Sequence, residues 1–451
     1  MYFVVKHVTT RGRIERLHIC PVVKCKDMNR TNIYVIIALT VSSPLLLSAS
    51  SWASTASIVS ITNSGSVQYS GSDLNTPINK AVYIYGKGSF TDAETSFIAS
   101  HFTLLDVDIS SFSQSSLQSI KTKNPSMKIL GYKDMLGAYT YDDDWTTVNA
   151  NEAWFVHDVY GNRLVSSQFG WYLMDVGSQR WRQHYVSYLN SKFSSTPEYD
   201  GVFADDVWDQ LRNWFNPPFF TVPNSYIKPS DAARWHTDTV GMLQYVKANL
   251  LGGKILFVNT DESLTHDYLD EADGKMCEGA FHAPWEPFDQ YPQAELGWTT
   301  SALDELARDM ATGKIVWCGP GTSYPGTSPP NATTQSQIAA TLKYCYAAFL
   351  CALNGTHGYF SFKAMSVDSY QDDGSKGYYP IMDTNIGKAK GAYYASENVY
   401  IRDFTDGKVL LNPSADSYIV NLGGNYQFMN GTVVSSIVLA PYTGEILMSS
   451  T

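Results

Sequence analysis

Two adjacent carboxylates, Asp205 and Asp206, follow a short apolar run in the segment DGVFADDVWD, which starts at residue 200. A third acid, Glu278, follows a similar run in the segment GKMCEGAF. Both runs have the length and residue types of buried β-strands. Two carboxyl groups across one apolar pocket can hydrolyse a glycosidic bond, because one protonates the leaving oxygen while the other attacks the anomeric carbon or activates water.

The elements that would position these acids form a repeating pattern. From Lys80 onward, short β-rich runs alternate with segments of helical period, which is typical of a parallel sheet built from βα units. Eight runs qualify as strands: KAVYIYG at 80, FTLLDVDI at 102, KILGYKDM at 128, DGVFADD at 200, KILFVNT at 254, GKMCEGAF at 274, KIVWCGP at 314 and HGYFSF at 357. Five segments predict helices: TDAETSFIASH, SSLQSIKTKN, SQRWRQHYVSYLNSKFS, SALDELARDMATG and QSQIAATLKYCYAAFLCAL. This pattern predicts an α/β fold, a (β/α)8 TIM barrel.

The chain outside the barrel differs in pattern. After Ala395 the helical period stops, and apolar and polar residues alternate between Gly, Asn and Pro turns, which predicts a C-terminal antiparallel β-domain. We expect the following division: a signal peptide in 1–53, a linker or short β segment in 54–79, a barrel in 80–397 with an insertion at 135–199, and the β-domain in 398–451.

The N-terminal segment has the pattern of a signal peptide. Lys24, Lys26 and Arg30 precede the apolar run IYVIIALTVSSPLLLSAS, and the small residues of SWAS suit cleavage near Ala53. We expect a secreted or extracytoplasmic protein, without a membrane association after cleavage. The alternative is a membrane anchor, because the run is near the lower length limit for spanning a bilayer. Met28 is an alternative start of the chain.

Composition narrows the choice of partner. A formal net charge of −11 with 32 Lys and Arg residues argues against a nucleic-acid partner. The four cysteines beyond the signal peptide show no CxxC pair and no His partner at metal-ligand spacing, so we expect free thiols, no metal and no cofactor. A calcium ion bound by YDDDW or QDDGSKG is an alternative, but neither segment has the spacing of a calcium loop.

The position of each acid along its strand indicates whether it lies at the active site. Active sites of such barrels lie at the carboxyl ends of the strands, where Asp205 ends strand four and Glu278 ends strand six. Because strand side chains alternate, we expect Asp205 to face the barrel axis and Asp206 to point away. We expect Glu278 to be less solvated, with a raised pKa that suits a general acid, and Asp205 to stay ionised. Helix capping or a structural ion pair is the alternative for each acid.

These motifs carry a family resemblance. The run DGVFADD resembles the strand-four signature of barrel glycoside hydrolases that act on α-linked sugars. Together with WFVHDVYGNRL, WYLMDVGSQRWRQHYVSYL and CEGAF, it resembles a glycosyl-hydrolase-like family of secreted barrel proteins, over residues 80 to 440. The resemblance implies Asp205 as nucleophile and Glu278 as acid/base, similar to α-galactosidase and α-glucosidase barrels. Those barrels usually have Asp on strand six, which makes Glu278 a departure.

Further polar and aromatic residues are candidates for binding sugar hydroxyls and ring faces. The substrate-binding candidates are Tyr85, Asp106, Asp108, Lys133, Asp134, His157, Asp175, Asp206, Trp208, Asn259 and Trp285. Alternatives exist for several: an ion pair between Asp108 and Lys133, a helix N-cap for Asp175, a surface position for His157 and core packing for any tryptophan.

The expected partner is a poly- or oligosaccharide, and the expected reaction is cofactor-independent hydrolysis of its glycosidic bonds by a retaining mechanism. One alternative is a non-catalytic carbohydrate-binding barrel, which would not need two ionisable acids at strand ends. A second is a hydrolase of the polysaccharide deacetylase type, which would need a His and Asp metal cluster, whereas the histidines here are scattered.

Removal of residues 1–53 tests the signal peptide. We expect a folded, soluble protein, because the predicted barrel starts only at Lys80 and the deleted segment is apolar. Solubility and circular dichroism of the shortened chain are the measurements. Insolubility that restoring the segment cures would contradict the prediction.

Overall fold

The computed structural model describes residues 4–6, 17–19, 78–211, 220, 222–260, 267–288, 300–324, 330–366, 377–396 and 398–450. The chain divides into two compact units, 1–62 and 63–451. In the first unit, strands Val4–Lys6 and Leu17–Ile19 pair antiparallel. The rest of the predicted signal peptide, the linker up to residue 77 and most of QDDGSKG lie outside the described residues.

Eight parallel strands of the second unit close into a barrel. In chain order they are β1 (Asn79–Ile84), β2 (Leu104–Asp108), β3 (Lys128–Asp134), β4 (Gly201–Val207), β5 (Ile255–Thr260), β6 (Gly274–Glu278), β7 (Ile315–Gly319) and β8 (Gly358–Phe360). Each strand pairs with the next, and β8 pairs with β1. Each strand falls on one of the eight predicted runs, so the predicted TIM barrel is confirmed.

Side-chain alternation fills the barrel interior with apolar residues up to the carboxyl ends of the strands. The interior cluster contains Ala81, Leu104, Leu130, Phe203, Phe257, Met276, Ile315, Trp317 and Tyr359. Residues two positions further along a strand face the same side. On β4, β5 and β6 these positions hold Asp205, Asn259 and Glu278. The strands therefore place an apolar floor beneath three adjacent polar side chains.

Helices of the second unit lie around the barrel and in a small lobe. They are α1 (Asp92–His101), α2 (Gln114–Lys123), α3 (Trp145–Asn149), α4 (Gln179–Ser195), α5 (Pro229–Asn249), α6 (Asp267–Glu271), α7 (Thr300–Ala311) and α8 (Ala332–Ala352). A capping box between Thr91 and Glu94 begins α1. The five predicted helices correspond to α1, α2, α4, α7 and α8, whereas α5 is not among them, although Pro in its first turn is a typical start signal. None of the helices within the described ranges is both long and apolar enough to cross a membrane.

A small lobe separates β3 from α4. Its strands Gly137–Ala138 and Tyr172–Leu173 pair antiparallel, with α3 and a 3-10 turn, Glu152–Trp154, between them. α4 is an outer-layer helix of the barrel, and its Trp181 indole N–H donates to the Met135 carbonyl at 3.2 Å. The lobe thus ends before α4, whereas the predicted insertion, 135–199, includes that helix.

The predicted C-terminal β-domain is a six-stranded antiparallel sheet. Its strands are β9 (Tyr394–Ser396), β10 (Val399–Asp403), β11 (Gly407–Asn412), β12 (Tyr418–Gln427), β13 (Val433–Leu439) and β14 (Thr443–Ser449), in the order β9-β10-β11-β14-β12-β13. The sheet approaches α8 closely, since a Cβ on Gly444 would lie 2.5 Å from the Cβ of Ala347.

A buried arginine joins this sheet to α8. The Nη1 atom of Arg402 donates to the carbonyls of Leu350, Cys351 and Leu353 at 2.9, 2.9 and 2.6 Å. The last carbonyls of a helix have no partner within it. The guanidinium therefore satisfies the end of α8 while it fixes β10 against the helix.

Replacing Arg402 by methionine tests this junction. We expect Arg402→Met to lower the free energy of unfolding by roughly 3 kcal/mol or more, because several buried carbonyls lose their donor. Lys343→Met is the matched control, since the Lys343–Glu445 ion pair, 2.6 Å long, joins the same helix and sheet nearer the surface and should be worth less than about 1 kcal/mol. Denaturant unfolding curves measure both, and equal losses would contradict the assignment.

Candidate active site

The amide of Asn259 contacts both predicted catalytic acids. Its Nδ2 atom donates to Asp205 Oδ1 and to Glu278 Oε2, each at 2.9 Å. The two carboxylate oxygens are therefore at most twice 2.9 Å, about 5.8 Å, apart. The structure thus brings Asp205 and Glu278 together, and Asn259 lies between them.

Asp205 accepts hydrogen bonds from both sides. The Tyr132 hydroxyl donates to Oδ2 at 2.7 Å, opposite the bond from Asn259. Loss of hydration raises the pKa of Asp205, while donors from Tyr132, the backbone N–H of Asp206 and Asn259 oppose that rise. These donors favour the ionised carboxylate.

Glu278 ends β6, and an exposed aromatic ring lies beside the turn that follows. A turn with positive φ follows it, 72° at Gly279 and 71° at Phe281. The turn carries Trp285 back toward the strand end, because a Cβ on Gly279 would lie 3.6 Å from Cη2 of Trp285. Trp285 is 46% exposed, so its ring offers a flat face next to Gly279, the residue that follows Glu278.

A β-bulge changes the direction of Asp206. The register between β4 and β5 shifts between Ala204 and Val207, and Asp206 has a φ of 58°. Its carboxyl interacts electrostatically with those of Asp134, Asp205 and Glu278. The prediction that Asp206 points away is therefore wrong, since strict alternation does not hold across a bulge.

Asp134 is buried at the end of β3. Its Oδ1 accepts from the backbone N–H groups of Leu136 and Gly137 at 2.9 and 2.5 Å. Its Oδ2 is buried and receives no hydrogen bond from an N–H or hydroxyl group within the described residues. Burial and the nearby Asp205 raise the pKa of Asp134 to about 8, and burial and Asp134 raise that of Asp206 well above its usual range.

Asp106, Asp108 and Tyr85 lie on the neighbouring strand ends. The Tyr85 hydroxyl donates to Asp106, whose Oδ1 is buried without a donor among the described residues. Asp108 accepts from the Gly86 N–H at 2.9 Å. Burial raises the pKa of both aspartates. Oxygens without donors are suited to accept hydrogen bonds from a ligand.

Lys133 is buried at the end of β3 and borders a cleft that Asp108, Asp134 and Tyr141 also line. Its ammonium pairs with Asp142 and Asp144 of the lobe at 2.7 and 3.0 Å. The alternative ion pair with Asp108 is therefore wrong, whereas substrate binding by Lys133 stays a prediction. Asp142 and Asp144 are two of the three acids of YDDDW. Because both pair with Lys133, a calcium ion bound by that segment is disfavoured.

His157 and Asp175 belong to local networks of the lobe. His157 Nε2 lies 2.6 Å from Glu152 Oε1. Asp175 accepts from the Gly177 N–H at 2.9 Å and from Arg234 at 2.8 Å. The N-cap of α4 is Ser178, so the N-cap alternative for Asp175 is wrong, since its carboxylate closes the preceding turn.

The tryptophans fall into two classes. Trp154, Trp171 and Trp208 are buried, and Trp208 packs on Trp171 with ring centroids 5.4 Å apart. Trp208 is therefore a core residue and not a sugar platform, because its ring is inaccessible. Trp285 is exposed, and its predicted role in sugar binding stays a prediction.

Tyrosines that the sequence did not single out line the mouth. Tyr132, Tyr139 and Tyr141 border a cleft together with Asp108 and Asp134. Tyr141 is 73% exposed and stacks on Tyr139. The signal for Tyr132 was available, since it lies two residues before Asp134 and faces the same side.

A larger cavity, of about 460 Å³, lies at the opposite face. Lys128, Ile255, Ile315 and His357 border it, and these residues begin or precede their strands. Chemistry in such barrels occurs at the other end of the strands. The smaller cleft beside Asp134 is therefore the better candidate.

The described residues contain no group of three or more His, Cys, Asp or Glu side chains that could hold a metal ion.

Residues 121–408, a span that includes Asp205, Asn259 and Glu278, match the family described as hypothetical glycosyl hydrolase family 15. The chain belongs to hypothetical glycosyl hydrolase family 15. The protein is therefore a glycoside hydrolase, and the binding-barrel and deacetylase alternatives are set aside.

Solved structures similar to this family 15 chain include three glycoside hydrolases. The glycoside hydrolase domain of PelA from Pseudomonas aeruginosa aligns over 65% of this chain and 98% of its own, with 12% identity and a TM-score of 0.42. The maltogenic α-amylase AmyB from Thermotoga neapolitana aligns over 84% and 100%, with 9% identity and a TM-score of 0.48. The α-galactosidase AgaA from Geobacillus stearothermophilus aligns over 85% and 57%, with 8% identity and a TM-score of 0.42. No match was found among curated proteins.

Alanine substitutions of two tryptophans test their assignment. We expect Trp208→Ala to lower the free energy of unfolding by about 3 to 5 kcal/mol, because it empties a core position. Trp285→Ala should change it by less than about 1 kcal/mol, since the ring is exposed. Denaturant unfolding measures both, and a large loss from Trp285→Ala would show that its ring is structural.

Proposed function

We propose that this glycoside hydrolase cleaves α-linked bonds of a poly- or oligosaccharide by a retaining, two-step mechanism, with Asp205 as nucleophile and Glu278 as acid/base. The observation that carries the proposal is the shared Asn259 amide, which keeps the two oxygens within about 5.8 Å. Retaining enzymes have carboxyl groups about 5 to 5.5 Å apart, and inverting enzymes about 6.5 to 9.5 Å. The short separation supports the retaining class.

The hydrogen bonds support the nucleophile assignment. Asp205 receives donors from Tyr132 and Asn259, which stabilise its negative charge. In the first step, an oxygen of Asp205 attacks the anomeric carbon while the Glu278 carboxyl transfers its proton to the leaving oxygen. The glycosidic bond breaks, and a glycosyl ester forms on Asp205.

The second step reverses these roles. Glu278, now ionised, takes a proton from a water molecule whose oxygen attacks the anomeric carbon. The ester bond to Asp205 breaks, and the sugar leaves with its original configuration. Asn259 contacts both carboxylates, so it is placed to hold their separation through both steps.

Substrate contacts surround this pair. Asp106, Asp108 and Asp134 offer acceptor oxygens to sugar hydroxyls, and Trp285 offers a ring face beside Gly279. Asp134 Oδ2 and Asp106 Oδ1 are buried near Asp205, which suits close contacts with the sugar bonded to it.

The α-linkage and the location rest on sequence. The acids on strands four and six resemble those of α-galactosidase and α-glucosidase barrels, which supports an α-linked substrate. The basic and apolar pattern before Ala53 supports export, and hence action on carbohydrate outside the cytoplasm.

Two alanine variants test the mechanism. After a screen of chromogenic glycosides and polysaccharides has found a substrate, Asp205→Ala should lower kcat by at least about 10⁴-fold on every substrate, because no ester can form. Glu278→Ala should spare aryl glycosides with activated leaving groups, which need little protonation.

Azide and product analysis complete this test. Azide should partly rescue Asp205→Ala and give a product of inverted configuration, because a small anion can enter the emptied space. Wild-type product should retain its configuration by NMR. Near-native activity of Asp205→Ala on any substrate of the wild type would show that Asp205 is not the nucleophile.

A further inference from the structure

We propose that Tyr141 binds the second sugar of the glycone, the part of the substrate that is transferred to Asp205 in the first step. The first glycone sugar forms the ester, and the second is bonded to it on the side away from the cleaved bond. The site therefore recognises a stretch of at least two sugars before that bond. This inference rests on the proposed roles of Asp205 and Glu278, and it adds the length of chain that the site recognises.

The first observation is a large ring that stays in contact with solvent. Tyr141 is 73% exposed, and its ring stacks on that of Tyr139 with centroids 4.7 Å apart and planes 26° from parallel. Tyr139 covers one face of the ring, and the other face is open. Because burial of aromatic surface is favourable, a ligand with an apolar face gains free energy by covering this ring.

The second observation is that the turn carrying Tyr141 is fixed at its base. The Asp142 N–H donates to the Tyr139 carbonyl at 3.2 Å, and the Tyr139 N–H donates to the Asp142 carboxylate at 3.3 Å. The Lys133 ammonium pairs with Asp142 at 2.7 Å and with Asp144 at 3.0 Å, and all three side chains are buried or nearly so. The ring is therefore held in place before a ligand arrives, which reduces the entropy lost on binding.

The third observation is that the open face belongs to a cleft that reaches the nucleophile. Tyr132, Tyr141, Asp108 and Asp134 border this cleft. The Tyr132 hydroxyl donates to Asp205 at 2.7 Å, and Asp134 is paired in register with Asp205 on the neighbouring strand. The cleft thus begins one side chain away from Asp205. A sugar in it lies next to the sugar that is bonded to Asp205.

The order of the strands assigns the cleft to the glycone. The barrel places β3, β4, β5 and β6 side by side, with the cleft at the end of β3, Asp205 on β4 and Glu278 on β6. Glu278 protonates the leaving oxygen, so the leaving group lies toward β6. The cleft is on the opposite side of Asp205 and therefore takes the glycone. Trp285, which lies beside the turn after β6, is on the leaving-group side.

The polar groups beside the ring favour a sugar over a purely apolar ligand. Asp108 accepts one hydrogen bond, from the Gly86 N–H at 2.9 Å, and its carboxylate can accept more. A sugar ring has an apolar face for stacking and hydroxyl donors at its edge. The cleft offers a partner to both, an aromatic face from Tyr141 and carboxylate acceptors from Asp108 and Asp134.

Aryl glycosides with one and with two sugars test this assignment. Both carry the same activated leaving group and are built from the sugar that the substrate screen identifies, so the pair differs only in the glycone. The wild type should cleave the two-sugar glycoside with a kcat/KM at least about tenfold higher, because only that substrate reaches Tyr141. Tyr141→Ala should lower the ratio of the two kcat/KM values by about tenfold.

Two variants serve as controls. Tyr141→Phe keeps the ring face and should keep the wild-type ratio. Tyr160→Ala should also keep it, because Tyr160 is a lobe residue of similar exposure, 69%, that packs on Tyr226 and is not among the residues that border the cleft. Denaturant unfolding midpoints of all three variants should match that of the wild type, since neither exposed ring is part of the core.

Three results would overturn the role of Tyr141: a wild type without preference for the two-sugar glycoside, an unchanged ratio in Tyr141→Ala, or an equal loss in Tyr160→Ala. Failure of the proposed mechanism has a different signature, because activity would then survive Asp205→Ala. If only the platform is wrong, Asp205→Ala is inactive while Tyr141→Ala keeps the wild-type ratio.

Discussion

One side-chain amide, that of Asn259, sets the distance on which the proposed chemistry depends. The strand ends of a parallel barrel lie side by side, so β4, β5 and β6 present Asp205, Asn259 and Glu278 in a row. Because each strand points every second side chain inward, the amide between the acids can donate to both. The register of three strands thereby fixes a separation that loops could hold only with less precision.

Many acids are buried at the mouth of the barrel, where their carboxyl groups lose hydration. Three kinds of interaction in the structure offset this loss. Asp205 is compensated by donors, from Tyr132 and Asn259. Asp142 and Asp144 are compensated by the ammonium of Lys133, with which they form ion pairs. Asp134 accepts from two backbone N–H groups, and burial raises its pKa to about 8, which favours its neutral form. A site that keeps one acid ionised beside another that is neutral has the asymmetry that acid and base catalysis requires.

The sequence contains most of the architecture, because strand and helix periods and the positions of strand ends are local signals. These signals located all eight barrel strands, and they placed Asp205, Asn259 and Glu278 at strand ends. The remaining features depend on contacts between distant segments. The bulge at Asp206 interrupts the alternation from which its direction was predicted, and the lobe that captures Lys133 could not be positioned from sequence. Burial of Trp208 depends on the packing of Trp171, whereas exposure of Trp285 follows from a turn with positive φ at Gly279 and Phe281.

The central claim, that Asp205 and Glu278 act together on one bond, is tested most directly by trapping the intermediate. Glu278→Ala should form the glycosyl ester from an activated aryl glycoside but lack the base that hydrolyses it. Intact-protein mass spectrometry should then show the addition of one glycosyl unit, and peptide mapping should locate it on Asp205. Turnover without any covalent adduct, or an adduct on another residue such as Asp206, would contradict the account.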